Sequence, residues 1–277
     1  MQGDKVCFNG IVEVFGEFPS DVEALFSSNY IYQQIHTLGH RPLHLAAHLE
    51  IAERSYQKLY GGDPALNEET VYGEIEETLA ANRYPHISNL VTLYLFPPAK
   101  PEGTPVRLVV CTEPMLYKGY VLWHTRPRAV LRAYDYLGAG HSTALARISH
   151  RHVANDVRNE GFDVAVRSLQ GWLMDAEGWP LFAVRNGRAF TTPLSAGATD
   201  SVPRRIGYRL CEMAGVECEG EEVAAAELSL YDELFYVTPQ GIVSLLSCNE
   251  HLLYNLATLR IAAVMERIDL AEYDTLL

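Results

Sequence analysis

Leu45, Leu49, Ala52, Tyr56 and Leu59 step along the chain by four and three, which predicts a helix with one apolar stripe. Gly61-Gly62 ends it. A second helix, acidic on its outer face, is expected over 68–81, stopped by Asn82–Pro85. Mostly apolar runs at 90–96 and 106–111 read as strands, with the Pro/Gly-rich stretch PPAKPEGTP joining them. From about residue 119 the texture changes. Strand-like runs at 120–124 and 129–134 lead to Gly138-Ala139-Gly140, and a helix is expected over 143–159, closed by Gly161. Short strands then alternate with two-residue turns: 163–168, Gln170-Gly171, 172–175, Glu177-Gly178, 181–184, Asn186-Gly187, 188–192. Turn dipeptides ending in Gly are the signature of a β-meander. A helix starting near Pro203 and stopping at Gly215, a short helix at 222–228, strands at 234–237 and 242–246, and a buried helix over 249–267 complete the reading. The alternation predicts an α+β protein of two lobes, 1–117 and 118–277.

Composition narrows the function. With 277 residues, 48% apolar and 21% charged, the chain can bury about three quarters of its unfolded surface without staples. A net charge of −13 disfavours nucleic acid and anionic membrane surfaces as partners. No apolar run reaches the roughly 18 residues of a membrane span. The N-terminal stretch has no charged-then-apolar leader pattern, so a cytoplasmic location is expected. Five scattered cysteines, with no C-x-x-C pair, read as reduced thiols. Lysine is scarce: Lys5, Lys58, Lys100 and Lys118 against 18 arginines, and none beyond residue 118. No lysine chemistry can arise from that half of the chain.

Candidate chemistry is sparse. Phosphate-binding glycine loops, the nucleophile elbow and zinc spacings are absent. His36, His40, His44 and His48 recur every four residues, but Gly39 and Pro42 break any helix between them, so a metal site is not expected. His150 and His152 stand two apart on a helix and read as surface or interface residues. His141, beside Ser142 and Thr143 at a helix start, reads as part of a cap or as a base next to a nucleophile. Asp232-Glu233 reads as a solvated strand start. Arg204-Arg205 after Pro203 reads either as anion-receiving or as plain helix surface.

The order of motifs resembles the class IV pyridoxal-phosphate enzymes, which include branched-chain and D-amino-acid aminotransferases and aminodeoxychorismate lyases. Phe8-Asn9-Gly10, YIYQQIHTLGHRPLHLAAHLEIAERS (30–55), GFDVAVRSLQGWLMDAEGWPLFAVRNGRAFTTPL (161–194) and SVPRRIGYRLCEMAGVECEGEEVAAAELSLYDELFYVTPQGIVSL (201–245) carry the resemblance. It implies a smaller N-terminal lobe, a larger C-terminal lobe, a cofactor cleft between them and a homodimer. It also implies site positions. The family's Schiff-base lysine falls on Ser142 or Thr143, with Thr143 preferred, and its pyridine-nitrogen carboxylate on Asp175. Its phosphate arginine falls on Ile51, its phosphate cup on Ser201, Val202 and Pro203, and further phosphate-region residues on Arg204 and Thr238. A hydroxyl cannot form an internal aldimine, an isoleucine cannot pair a phosphate, and Pro203 has no N–H. The expectation is a non-catalytic or repurposed member with no bound cofactor, holding a small anionic ligand. The alternative is an aminotransferase or lyase with an atypical site, working through Lys118 or through His141, Thr143 and Asp175.

Overall fold

The structure is a computed structural model that describes residues 4–17, 24–85, 87–98, 103–115 and 119–277. Lys100 and Lys118, with part of the 97–105 connection, lie outside the described residues. The chain divides into two compact units. The first comprises 1–119 with 142–144, and the second 120–141 with 145–277.

The first unit is built on a six-stranded antiparallel sheet. In chain order its strands are β1 (Lys5–Phe8), β2 (Ile11–Val14), β3 (Ile31–Leu38), β4 (Arg41–Pro42), β5 (Ser88–Phe96) and β6 (Val106–Met115), arranged β2-β1-β6-β5-β3-β4. Helices α1 (Leu45–Tyr60) and α2 (Glu68–Ala81) follow the expected bounds closely. Their stripes, including Leu45, Leu49, Val71, Ile75 and Leu79, pack on Ile35, Val91, Leu93 and Val109. Every residue of β5 is buried, because both faces of the sheet are covered. Tyr94 and Phe96 point away from the helices into a second cluster with Tyr30, Leu108, Val110 and Ala144. Ala144 reaches that cluster because 142–144 runs beside β3: Tyr32 N–H donates to Ser142 O (3.0 Å) and Ala144 N–H to Tyr30 O (2.9 Å). The outer face of α2 is not wholly solvated. Glu74 is buried and accepts from Arg107 through Nε (3.2 Å) and Nη2 (2.6 Å).

In the second unit, β8 (Arg128–Ala133) and β9 (Val164–Leu169) are parallel and joined by α3 (Ala144–Asn159). The meander follows: β9, β10 (Trp172–Ala176), β11 (Trp179–Arg185) and β12 (Arg188–Thr191). Both residues of each turn, Gln170-Gly171, Glu177-Gly178 and Asn186-Gly187, have positive φ, as primed hairpin turns require. The sheet extends through β14 (Glu233–Thr238), β15 (Gly241–Ser244) and the two-residue β7 (Val121–Leu122) on one side. On the other it ends in the short pair β16 (Ser247–Cys248) and β17 (His251–Leu252), while β13 (Cys218–Gly220) joins β12. Helix α4 (Val202–Met213) lies on β11 and β14 through Gly207. A Cβ at Gly207 would stand 2.4 Å from the Phe182 ring.

Two expected helices are corrected. The segment 222–224 is extended, because Leu173 N–H donates to Val223 O (2.7 Å), and only a 3₁₀ turn, Ala225–Leu230, follows. The last helix, α5, spans Leu256–Met265 rather than 249–267. Asn249 takes a positive φ of 52° in the β16–β17 turn, where its side chain accepts from Leu131 N–H (2.9 Å). Nor is α5 buried all round, since Leu256 is 75% exposed.

Candidate functional site

The chemistry of the second unit gathers on β9 and β10. A register shift between Leu173 and Asp175 sets Asp175 opposite Arg167 on the antiparallel neighbour. Residues directly opposite share a face. Arg167 is fully buried, and its Nε donates to Asp175 Oδ2 at 2.6 Å. Asp175 Oδ1 accepts from Gly178 N–H at 2.8 Å, so both carboxylate oxygens are engaged. Tyr136 covers the guanidinium with its ring, 5.0 Å from centroid to Cζ. Nη1 and Nη2 of Arg167 have no hydrogen-bond partner among the described residues.

His150, on α3, completes the cluster. Its Nδ1 lies 2.7 Å from the Tyr134 hydroxyl and 3.8 Å from Asp175 Oδ1. Gly178 lets the ring in: a Cβ there would come within 3.1 Å of it. Burial lowers the pKa of His150, with Asp175 pulling it up and Arg167 pushing it down, so the ring is neutral at pH 7. Burial is the largest single influence on Arg167 and works against its charge, but Asp175, Tyr136 and Tyr134 together outweigh it and the pKa is raised. Burial pushes the Tyr136 phenol up to about 12, and the Tyr134 phenol rises for the same reason. The arrangement is a desolvated ion pair beside a neutral imidazole and two protonated phenols. It can present hydrogen-bond donors to an anion. The reading of His150 as a surface or interface residue is corrected: it is buried within its own unit, whereas His152, two positions on, faces solvent with Nε2 3.6 Å from Asp156 Oδ2.

The helix start at Ser201 forms a second polar cluster. Ser201 caps α4 by accepting from Arg204 N–H (3.3 Å). Val202 and Pro203 form the buried first turn. Arg204 is buried and occupied: Nη1 donates to Thr191 Oγ1 (2.9 Å), and Nη2 donates to Thr192 O (2.8 Å) and Tyr208 Oη (3.3 Å). Arg205 pairs with Asp200. Thr238 serves the β14–β15 turn, donating to Gly241 O and accepting from Gln240 N–H. Ile51 and Thr143 belong to the first unit. Ile51 is buried on α1, and Thr143 is fully buried in an isolated bridge opposite Ile31. The structure thus brings Asp175 together with Arg167, His150, Tyr134 and Tyr136, none of which the sequence marks as a partner for it.

The remaining candidates have structural roles. Glu233 is buried rather than solvated. Its carboxylate accepts from Ala257 N–H (2.7 Å), Thr258 N–H (2.9 Å) and Thr258 Oγ1 (2.8 Å), capping α5 from β14. The spaced histidines find separate partners: His36 with Ser88, His40 with Tyr84 O and His48 with Gln33. Among the described residues no three His, Cys, Asp or Glu side chains converge as metal ligands, and no helix is long and apolar enough to cross a membrane.

The chain matches the model of the family described as Amino-transferase class IV over residues 31–244. Among solved structures it is similar to a branched-chain aminotransferase from the thermophilic archaeon Thermoproteus uzoniensis with norvaline. The TM-score is 0.82 at 19% identity, over 99% of this chain and 97% of that one. It is also similar to the branched-chain amino acid aminotransferase from Escherichia coli, with TM-score 0.78 and 17% identity over 94% and 92% of the two chains. A hypothetical aminotransferase from Mycobacterium tuberculosis, in apo form, gives 0.76 and 13% over 95% and 99%. The TM-scores show the shared mixed helix-and-sheet fold. No curated protein matches the chain by sequence.

Proposed function

The chain belongs to the class IV aminotransferase family, and from that premise we propose that it is a repurposed member that forms no Schiff base with pyridoxal phosphate and instead holds a small anionic ligand. The observation that carries this reading is the lysine distribution: none lies beyond residue 118. The family resemblance aligns its Schiff-base lysine with Thr143 or its neighbour Ser142, both hydroxyl residues. A hydroxyl cannot replace an amine in an imine.

The residues of this chain do not fit the coenzyme. The carboxylate aligned with its ring nitrogen, Asp175, has both oxygens engaged, one by the Arg167 guanidinium and one by Gly178 N–H. A protonated pyridine brought to that carboxylate would meet a resident cation, and like charges repel strongly where water is excluded. At the positions that the resemblance aligns with phosphate contacts, Ile51 offers no charge, Pro203 no N–H, and the terminal nitrogens of Arg204 are bonded to Thr191, Thr192 and Tyr208. These departures fall on separate segments and all weaken coenzyme binding.

The test is reduction with borohydride after incubation with pyridoxal phosphate, followed by peptide mass mapping. The expected result is no aldimine absorbance and no pyridoxyl-lysine. An adduct on Lys118 or any other lysine overturns the proposal. The reading also takes the protein as a homodimer, supported by the exposed apolar side chains Leu252, Tyr254, Leu256 and Leu259. It places the protein in the cytoplasm, where five free cysteines would persist as thiols.

A further inference from the structure

Two arginines of the second unit are buried to a similar degree, and they differ in one respect. Arg204 places both terminal nitrogens on oxygens of its own chain, at Thr191, Thr192 and Tyr208. Arg167 uses only Nε, on Asp175 Oδ2 at 2.6 Å, and leaves Nη1 and Nη2 without a hydrogen-bond partner among the described residues although the side chain is fully buried. Four N–H donors on a desolvated cation are a strong demand for acceptors. The Nη1–Nη2 edge of a guanidinium matches the two oxygens of a planar carboxylate.

What covers the guanidinium is a ring carried by irregular backbone. Tyr136 lies over Arg167 at 5.0 Å, on the 134–142 run between β8 and α3, where Gly138 and Gly140 both take positive φ. Asp175 and Gly178, by contrast, are fixed by the β9–β10–β11 meander. The recognition group is thus held on a rigid sheet and its cover on a loop.

We propose that the terminal edge of Arg167 binds the carboxylate of a small organic acid, with the Tyr136 ring giving way to it. Asp175 is the positioning residue: it holds Nε and turns the Nη edge toward the ligand. A monoanionic carboxylate suits the site better than phosphate dianion, because Asp175 already balances the guanidinium charge. The inference rests on the reading above in one respect, that Asp175 serves Arg167 and not a coenzyme.

Isothermal titration with benzoate, and with uncharged benzamide as its isostere, tests it on the full chain. Benzoate should bind and benzamide should not. Arg167→Lys keeps the charge opposite Asp175 but loses the fork, and should weaken benzoate at least tenfold. Asp175→Asn keeps an acceptor for Gly178 but turns an amide NH2 toward Nε, which cannot hold the guanidinium, and should weaken benzoate several-fold; tighter binding in this variant would overturn the positioning role. Circular dichroism checks folding of both variants, and if D175N does not fold, R167K decides. No benzoate binding, equal binding of the two probes, or unchanged affinity in R167K overturns the proposal. Borohydride mapping on the same preparation separates the two ideas: a pyridoxyl-lysine would refute the coenzyme-free reading, while benzoate binding lost in R167K would still stand.

Discussion

A neutral histidine buried beside an ion pair makes stability depend on pH with a definite sign. The groups facing His150 are Asp175, Arg167, Tyr134 and Tyr136, and burial dominates them, so its folded pKa lies below the unfolded value of about 6.5. As pH falls through about 6.5, the unfolded chain takes up a proton at this position while the folded chain does not. Stability is therefore lost on acidification and is fully present above the unfolded pKa. Urea denaturation of the protein and of His150→Gln from pH 7.5 to 5.5 should show the native protein's advantage shrinking as pH falls. A difference that stays constant across that range would contradict a depressed pKa. The family resemblance makes Asp175 visible, but the sequence hides its partner. Two-residue turn counting from Gln170-Gly171 pairs Leu169 with Trp172 and Ser168 with Leu173, which would put Arg167 opposite Met174. The bulge at that point moves Asp175 into register instead. A bulge leaves no reliable composition signal, so the pair emerges only in three dimensions. His150 escaped for a similar reason: helical spacing shows that it and His152 face apart, but not which one faces in.

Local rules carry much of the element scale. The meander turns, the α1 stripe and the limits of α2 follow from turn chemistry and periodicity, since each depends on neighbours within one turn of the chain. The misjudged helices are those whose limits are set by distant partners. Backbone pairing with β10 holds 223–224 extended, and the end of α5 is fixed by a carboxylate over twenty residues upstream. Asn255 precedes α5 without a side-chain cap, and Glu233 supplies the acceptors instead. Replacing Glu233 with Ala leaves the Ala257 and Thr258 N–H groups unmet and also removes an anion from the positive end of the helix dipole. The loss should be about 1–2 kcal/mol, the upper part of the range for cap removal, read as a shift in the urea midpoint. Glu233→Gln retains acceptor oxygen and should recover part of it. Equal stability of the Ala variant and the native chain would show that the cap contributes nothing.

At the scale of the whole molecule, one apolar surface stays uncovered. Leu252 is 73% exposed, Tyr254 69% and Leu256 75%, within five residues at the start of α5. Scattered surface apolar residues need no explanation, but a run of large ones on a chain of net charge −13 does. Sequence patterning assigns this stretch to a buried helix, because it records that residues are apolar and not which surface buries them. The family resemblance supplies the other half of the argument, a second copy of the chain. The proposed homodimer would cover the run, and burying apolar area there would favour association by about 25 cal/mol per Å² before the cost of lost freedom. Leu252→Glu combined with Leu256→Glu places two carboxylates where each copy would need apolar contact, and repulsion adds to the lost burial. Light scattering coupled to size exclusion should give twice the chain mass for the native protein and the single-chain mass for the double variant, with unchanged circular dichroism. A double variant that still elutes at twice the chain mass would move the subunit contact to another face, and a native protein at the single-chain mass would leave the run without an occupant.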